Sequence, residues 1–247
     1  MNQIERLISE RPQFHQNETE LQRSFVSSES FLPVAASSKL ARAGLTNYGI
    51  NADVLRFIAE YVCSDSRTLE TGAGSSTLAF ACRRARHIAI TPSADEVRRI
   101  KDYAAERQID LATVHFVEQS SEQFLPRCDH ADLDVVLLDG KHAFPWPMVD
   151  WFYTADKLRR GGIMLLDDIK LRSVKVLVEF MHADPGWEFC REFSGRTAMF
   201  RKTKDRVLDV AWHMQPWTVP PAPTPFQRLS AKLCRLTARG RAFRSAY

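Results

Sequence analysis

Residues 67–77 read RTLETGAGSST, and the fold turns on them. Thr68 to Thr71 have the composition of a short buried strand. Gly72 and Gly74 then allow a tight turn and a close approach of backbone to a ligand. Ser75, Ser76 or Thr77 can cap a helix running through LAFACRRA. A strand, a glycine turn and a helix N-terminus make a nucleotide-sized cradle lined with backbone N–H groups. Glu70 ends the strand just before the turn. A carboxylate there disfavours a diphosphate and favours a cationic ligand. The dinucleotide fingerprint also asks for a third glycine, and Thr77 stands in its place.

Outward from this turn, strands and helices alternate. Upstream, Asn51 caps a helix over ADVLRFIAEYV. Downstream come a strand at 87–91, a helix at 94–107, a strand at 113–117, a short helix or turn at 120–125 and a strand at 133–139. Pro145 and Pro147 punctuate a loop before a helix at 148–159. A strand at 161–168 and a helix at 170–182 follow. WEFCREF and RTAMFRK, around Gly195, read as two last strands joined by a tight turn. Such alternation predicts a doubly wound α/β sheet, with ligands beyond the carboxyl ends of its strands. The polar residues at those ends are Glu70, Thr91, Glu118 to Ser120, Asp139, Asp167 and Asp168.

The ExGxGxST pattern at 70–77 resembles motif I of the class I S-adenosylmethionine-dependent methyltransferases. The resemblance covers residues from about 50 to 203. It implies a mostly parallel seven-stranded sheet with an antiparallel last strand, and S-adenosyl-L-methionine as cofactor. By that likeness Glu70 holds the methionine amino group, and Gly72, Gly74 and Ser76 lie against the cofactor. Gln119 and Ser120 meet the adenine edge. The family's ribose-binding acid after the second strand is replaced here by Thr91, followed by Pro92. A threonine hydroxyl makes one such bond, weaker than that of a charged two-oxygen acceptor. Asp95 or Glu96 can reach back from the helix start, and Thr91 can equally cap that helix. A bacterial subgroup assigned as small-molecule O-methyltransferases has the same threonine-proline pair.

Asp139 ends LLD, and Asp167 and Asp168 end MLLDD, two runs that are otherwise apolar. Three like charges at neighbouring strand ends need compensation, or their pKa values must rise. The arrangement resembles catechol-type O-methyltransferases, in which acids at these places bind Mg²⁺. Mg²⁺ (or Mn²⁺) over Asp139, Asp167 and Asp168 is therefore an expectation. His142 stands where those enzymes have a general-base lysine, while the lysine here comes earlier, at Lys141. An imidazole has a suitable pKa to take a hydroxyl proton. It can also be a loop histidine that orients the substrate. Phe144 and Trp146 either wall a substrate or pack the loop, and Trp151, Phe152 and Tyr153 are expected to pack in the core.

Composition narrows the partners. The 247 residues carry a formal charge of +4, but residues 204–247 alone carry +6, which leaves −2 for the remainder. A body without net positive charge argues against a nucleic-acid groove. The five cysteines form no CxxC and read as reduced thiols of a cytoplasmic protein. No apolar run resembles a signal peptide or a membrane span. Three regions follow: an N-terminal helical extension over 1–50, a catalytic domain over 51–203, and a proline-rich linker with a basic amphipathic tail over 204–247. In the tail, Phe226, Leu229, Leu233 and Leu236 share a helical stripe, and no acid occurs in 226–247. Such a helix docks on protein, joins a homo-oligomer or rests on an anionic membrane. The expected activity is O-methyl transfer to a small-molecule hydroxyl. A non-catalytic methyltransferase-like binding protein is the alternative, and an NAD(P)-dependent oxidoreductase a more distant one.

Overall fold

The computed structural model describes residues 2–14 and 49–218. Helix α1 spans Gln3–Glu10, α2 Ala52–Tyr61, β1 Arg67–Thr71, α3 Ser75–Cys82, β2 Arg86–Ile90, α4 Ala94–Glu106 and β3 Val114–Val117. Then come α5 at Ser121–Phe124, β4 at Leu133–Leu138, α6 at Trp146–Ala155, β5 at Leu158–Leu166 and α7 at Arg172–Ala183. Strands β6, Trp187–Phe193, and β7, Thr197–Lys202, complete a seven-stranded sheet in the order β3-β2-β1-β4-β5-β7-β6. Strands β1 to β5 pair in parallel, and β7 runs antiparallel to both β5 and β6. The doubly wound sheet with an antiparallel last strand is as the sequence implies.

Alternation along the strands builds a core on each face. On β4, Val135 and Leu137 join Leu7, Ile58, Phe80 and Ile100 of the helices on one side. Val136 and Leu138 join Leu125, Trp151, Leu177 and Met181 on the other. These strands are buried on both faces, which is why they read as unbroken apolar runs. Strand β5 starts earlier than the sequence suggests. Residues Leu158–Gly162 form an irregularity against β4, where the pairing shifts from Leu133↔Leu158 to Val135↔Ile163. Gly161 adopts a φ of +80° within it. Helix α6 also starts earlier, at Trp146, because Pro147 falls in its first turn, where a missing N–H is harmless.

Contacts divide the chain into two compact units, Met1–Asp209 and Val210–Tyr247. In the second unit, Trp212–Met214 and Pro216–Thr218 are short 3₁₀ turns, and Trp212 and Met214 are exposed. The amphipathic helix expected over 226–247, most of the proline-rich joint and the segment 15–48 of the N-terminal extension lie outside the described residues. Helix α1 packs Ile4 and Leu7 into the core beside α2 and α3.

Candidate active site at the carboxyl ends of the strands

The glycine turn is held from below by a buried polar network. Glu70, 1% exposed, receives the Thr77 hydroxyl at Oε1, and the same oxygen lies 3.1 Å from His87 Nε2. A carboxylate oxygen only accepts, so Nε2 donates to Glu70, and Nδ1 is 2.8 Å from Thr68 Oγ1. Thr77 Oγ1 in turn accepts the Gly74 N–H at 2.9 Å, so Gly74 itself takes the cap position. Gly72 is required by close packing. It has a φ of +88°, and a Cβ there would lie 2.3 Å from the Asp139 carbonyl oxygen. Gly74 faces open space instead, since its Cβ would meet only Phe14 Cδ2 at 3.9 Å. Ala73, Gly74, Ser75, Ser76 and Asp139 line a cleft roofed by Pro12 to Phe14 and Gly49 to Ile50.

At the end of β2, Thr91 does not cap the following helix; Ser93 does, accepting the Glu96 N–H. The Thr91 hydroxyl donates to Glu96 Oε2 at 2.6 Å, and both residues are buried. The acid absent from the strand end thus arrives from one turn into α4. Asp95 pairs with Arg98 in solvent. Beyond β3, Gln119 is exposed, while Ser120 Oγ is enclosed with no hydrogen-bond partner. The Thr71 hydroxyl and Asp150 Oδ1 are likewise enclosed and unpartnered. Burial pushes the Asp150 carboxyl up to about 6, with Ser121 and Thr71 beside it acting in the opposite sense. Asp150 is a candidate that sequence reasoning missed, because an acid inside a helix carries no pattern of its own.

The expected carboxylate cluster forms, but a side chain balances it. Arg196 reaches in from the turn between β6 and β7. Its Nη2 is 3.1 Å from Asp167 Oδ2, its Nε 2.8 Å from Asp168 Oδ1, and its Nη1 donates to the Gly49 carbonyl at 3.0 Å. Asp167 is fully buried, and its second oxygen takes the Thr197 hydroxyl. The expected Mg²⁺ or Mn²⁺ site over Asp139, Asp167 and Asp168 does not fit this arrangement. One oxygen of Asp167 accepts from Thr197, and the Arg196 guanidinium stands within 3.1 Å of its other oxygen and of one oxygen of Asp168. Among the described residues, no group of three or more His, Cys, Asp or Glu side chains is placed to hold a metal ion.

His142 joins the cluster. Its Nε2 is 3.7 Å from Asp139 Oδ1 and 3.9 Å from Asp168 Oδ2, and it has no hydrogen-bond partner. Its backbone carbonyl accepts from Ser173 Oγ, which fixes the loop to α7. Burial lowers the imidazole pKa, opposed by Asp168 and Asp167. Burial, together with Asp167 and Asp168, raises the Asp139 pKa well above the usual carboxylate range, and Arg196 opposes this. Lys141 Nζ lies over the Trp146 ring at 4.3 Å. Phe144 is 72% exposed and packs no core; Phe152 is also exposed, whereas Trp151 is buried.

Residues 69–169 match the family model described as a methyltransferase domain. Rv0187 from MTB, solved with its cofactor bound, is 16% identical with a TM-score of 0.55, over 76% of this chain and 98% of that one. The O-methyltransferase TomG of Streptomyces achromogenes, involved in tomaymycin synthesis and solved with S-adenosylmethionine, is 15% identical with a TM-score of 0.54, over 76% of this chain and all of its own. The Podospora anserina methyltransferase PaMTH1, solved with S-adenosylhomocysteine, is 14% identical with a TM-score of 0.53, over 77% and 98%. No curated protein matches the sequence. At these identities the likeness to solved structures is one of fold. No helix among the described residues is long and apolar enough to cross a membrane. The sheet order and the match over 69–169 together support a class I methyltransferase fold and an S-adenosylmethionine-dependent enzyme.

Proposed function

We propose that the protein transfers a methyl group from S-adenosylmethionine to a hydroxyl of a small molecule. The observation that carries this reading is His142 Nε2, enclosed, unpartnered and held between Asp139 and Asp168. Asp139 also lines the cleft over the glycine turn.

The glycine turn offers the cofactor a seat. Gly74 leaves room where a side chain would intrude, and the start of α3 opens onto the same space. Glu70 lies beneath the turn and brings negative charge toward the methionine ammonium. Gly72, Gly74 and Ser76 shape the seat. Glu96, oriented by Thr91, offers a carboxylate to the ribose hydroxyls, with Gln119 and Ser120 on the adenine side. When bound, the sulfonium supplies an electrophilic methyl carbon and a neutral thioether leaving group.

Neutral His142 is in the correct form to accept the substrate's hydroxyl proton as the oxygen–carbon bond forms and the carbon–sulfur bond breaks. The resulting imidazolium is stabilised by Asp168, within 4 Å. Arg196 bridges Asp167 and Asp168. A divalent cation has no part in this reading, because the guanidinium already supplies positive charge beside these acids and Thr197 takes one oxygen of Asp167.

Calorimetry with S-adenosylmethionine, S-adenosylhomocysteine and NAD⁺ tests the cofactor. The two sulfur nucleotides should bind and the nicotinamide should not. Release of S-adenosylhomocysteine across a panel of hydroxylated small molecules then tests the reaction. Binding of NAD⁺ alone would overturn the reading. Cofactor binding without turnover on any acceptor would favour the non-catalytic alternative.

A further inference from the structure

We infer that Arg196 is a built-in cation: its guanidinium takes the position expected of a divalent metal at the ends of β4 and β5, and it keeps metal out of the site. This rests on the placement of the cluster, and only its activity readout depends on the proposed methyl transfer.

The sheet itself delivers the guanidinium. Strand β7 runs antiparallel to β5, with Leu166 opposite Ala198. Continuing that register past the last pair sets Thr197 opposite Asp167 and Arg196 opposite Asp168. The side-chain contacts follow this order, hydroxyl to Asp167 and guanidinium to Asp168. The backbone fixes the turn as well, since the Ile169 N–H donates to the Arg196 carbonyl at 3.0 Å. Arg196 is therefore locked to the strand end at both main chain and side chain.

Chemistry favours the guanidinium over a bound ion here. It is planar, stays charged at any working pH and presents several donors in a fixed fork. One of those donors is hydrogen-bonded to the Gly49 carbonyl, and the fork stands at ion-pair distance from Asp167 and Asp168. Mg²⁺ requires near-octahedral oxygen ligands at about 2.1 Å. Thr197 already takes one oxygen of Asp167, and the guanidinium covers the other and one oxygen of Asp168 at 3.1 and 2.8 Å. An entering dication would also meet the positive guanidinium at close range, in an enclosed setting where screening is weak.

Mn²⁺ binding to the full-length protein tests the inference, read by calorimetry and by the loss of free Mn²⁺ signal in electron paramagnetic resonance. The wild type should bind no tighter than about 1 mM. Arg196→Ala frees carboxylate oxygens and removes the repulsion, so it should bind one Mn²⁺ at least tenfold more tightly. Arg196→Lys keeps the charge and should behave as the wild type. Chelator-treated wild type should keep its full rate of methyl transfer. Tight one-to-one binding by the wild type that disappears in Asp139→Asn would overturn the inference, as would an Arg196→Ala protein that binds no better than wild type. If Arg196→Ala does not fold, the wild-type and Asp139→Asn measurements decide alone. The metal-binding arm involves no turnover, so its outcome is separate from that of the proposed reaction.

Discussion

Two strand-end networks share this site, and they treat carboxylates in opposite ways. At the ends of β1 and β2, each acid meets hydroxyl or ring N–H donors. Glu70 has a threonine hydroxyl and an imidazole, and Glu96 has a threonine hydroxyl. At the ends of β4 and β5, three aspartates crowd around one arginine and one histidine. The first network is satisfied internally, and its product is a fixed shape. The second is short of positive charge and of hydrogen bonds, and it holds a basic nitrogen without a partner. In the proposed reaction, rigid seating and proton chemistry are divided between adjacent strand pairs. Perturbed groups gather on the side assigned to chemistry, as expected of a functional site.

If the division holds, the largest effect should follow from His142→Ala. Loss of a general base typically costs about 10²- to 10⁴-fold in rate. Single-turnover methyl transfer should fall by that order while cofactor affinity stays within about twofold. An unchanged single-turnover rate would remove His142 from the reaction. A more acidic acceptor should recover part of the loss, which a merely structural role would not produce.

Asp150 sharpens the comparison because it has no cation beside it, only the hydroxyls of Ser121 and Thr71. Its carboxyl is pushed up to about 6 by burial, so the folded protein favours the neutral form. That preference stabilises the fold fully below about pH 4 and is lost as pH rises through about 6. Above that point the ionised group costs about 3 kcal/mol. Asp150→Asn should therefore match the wild type in urea titrations near pH 4 and exceed it near pH 8, by up to about 3 kcal/mol. A difference that does not change with pH would sink the argument.

On the seating side the effects should be smaller and confined to binding. Glu70→Gln keeps the shape and removes the charge, and should weaken S-adenosylmethionine binding by about tenfold. Unchanged calorimetric affinity in the folded variant would detach Glu70 from the cofactor. Thr91→Val removes the hydroxyl that orients Glu96 and should weaken binding by only a few-fold, about 1 kcal/mol. The loss should be absent for an analogue lacking the ribose hydroxyls. Equal loss for both ligands would make Thr91 a packing residue.

What was legible in the sequence follows the same boundary. The sheet could be read because its central strands are apolar on both faces and a glycine turn separates the first from its helix. Asp139, His142, Asp167 and Asp168 could be read as neighbours because each follows such a strand. Arg196 could not, since its role depends on the register of β7 against β5, and nothing near SGRT announces it. The metal expectation overlooked Arg196 for that reason: the need for positive charge was visible, but this source of it lay about thirty residues further along the chain. The early start of α6 was hidden because Pro147 reads as a loop residue yet is suited to a helix's first turn.

The fit at Gly72 has a mechanical consequence. The backbone of the turn rests against the Asp139 carbonyl so closely that a single methyl group would overlap it. The Gly72 N–H is also tied to the Ile90 carbonyl, and the Asp139 N–H to that of Thr71. Three adjacent strand ends are clamped together at one point. The distance between the methyl donor's seat and the acid flanking His142 is therefore a ruler built into the main chain, which side chains around it can change without altering its length. Enlarging Gly72 would re-space the ruler, and reach would be lost before grip.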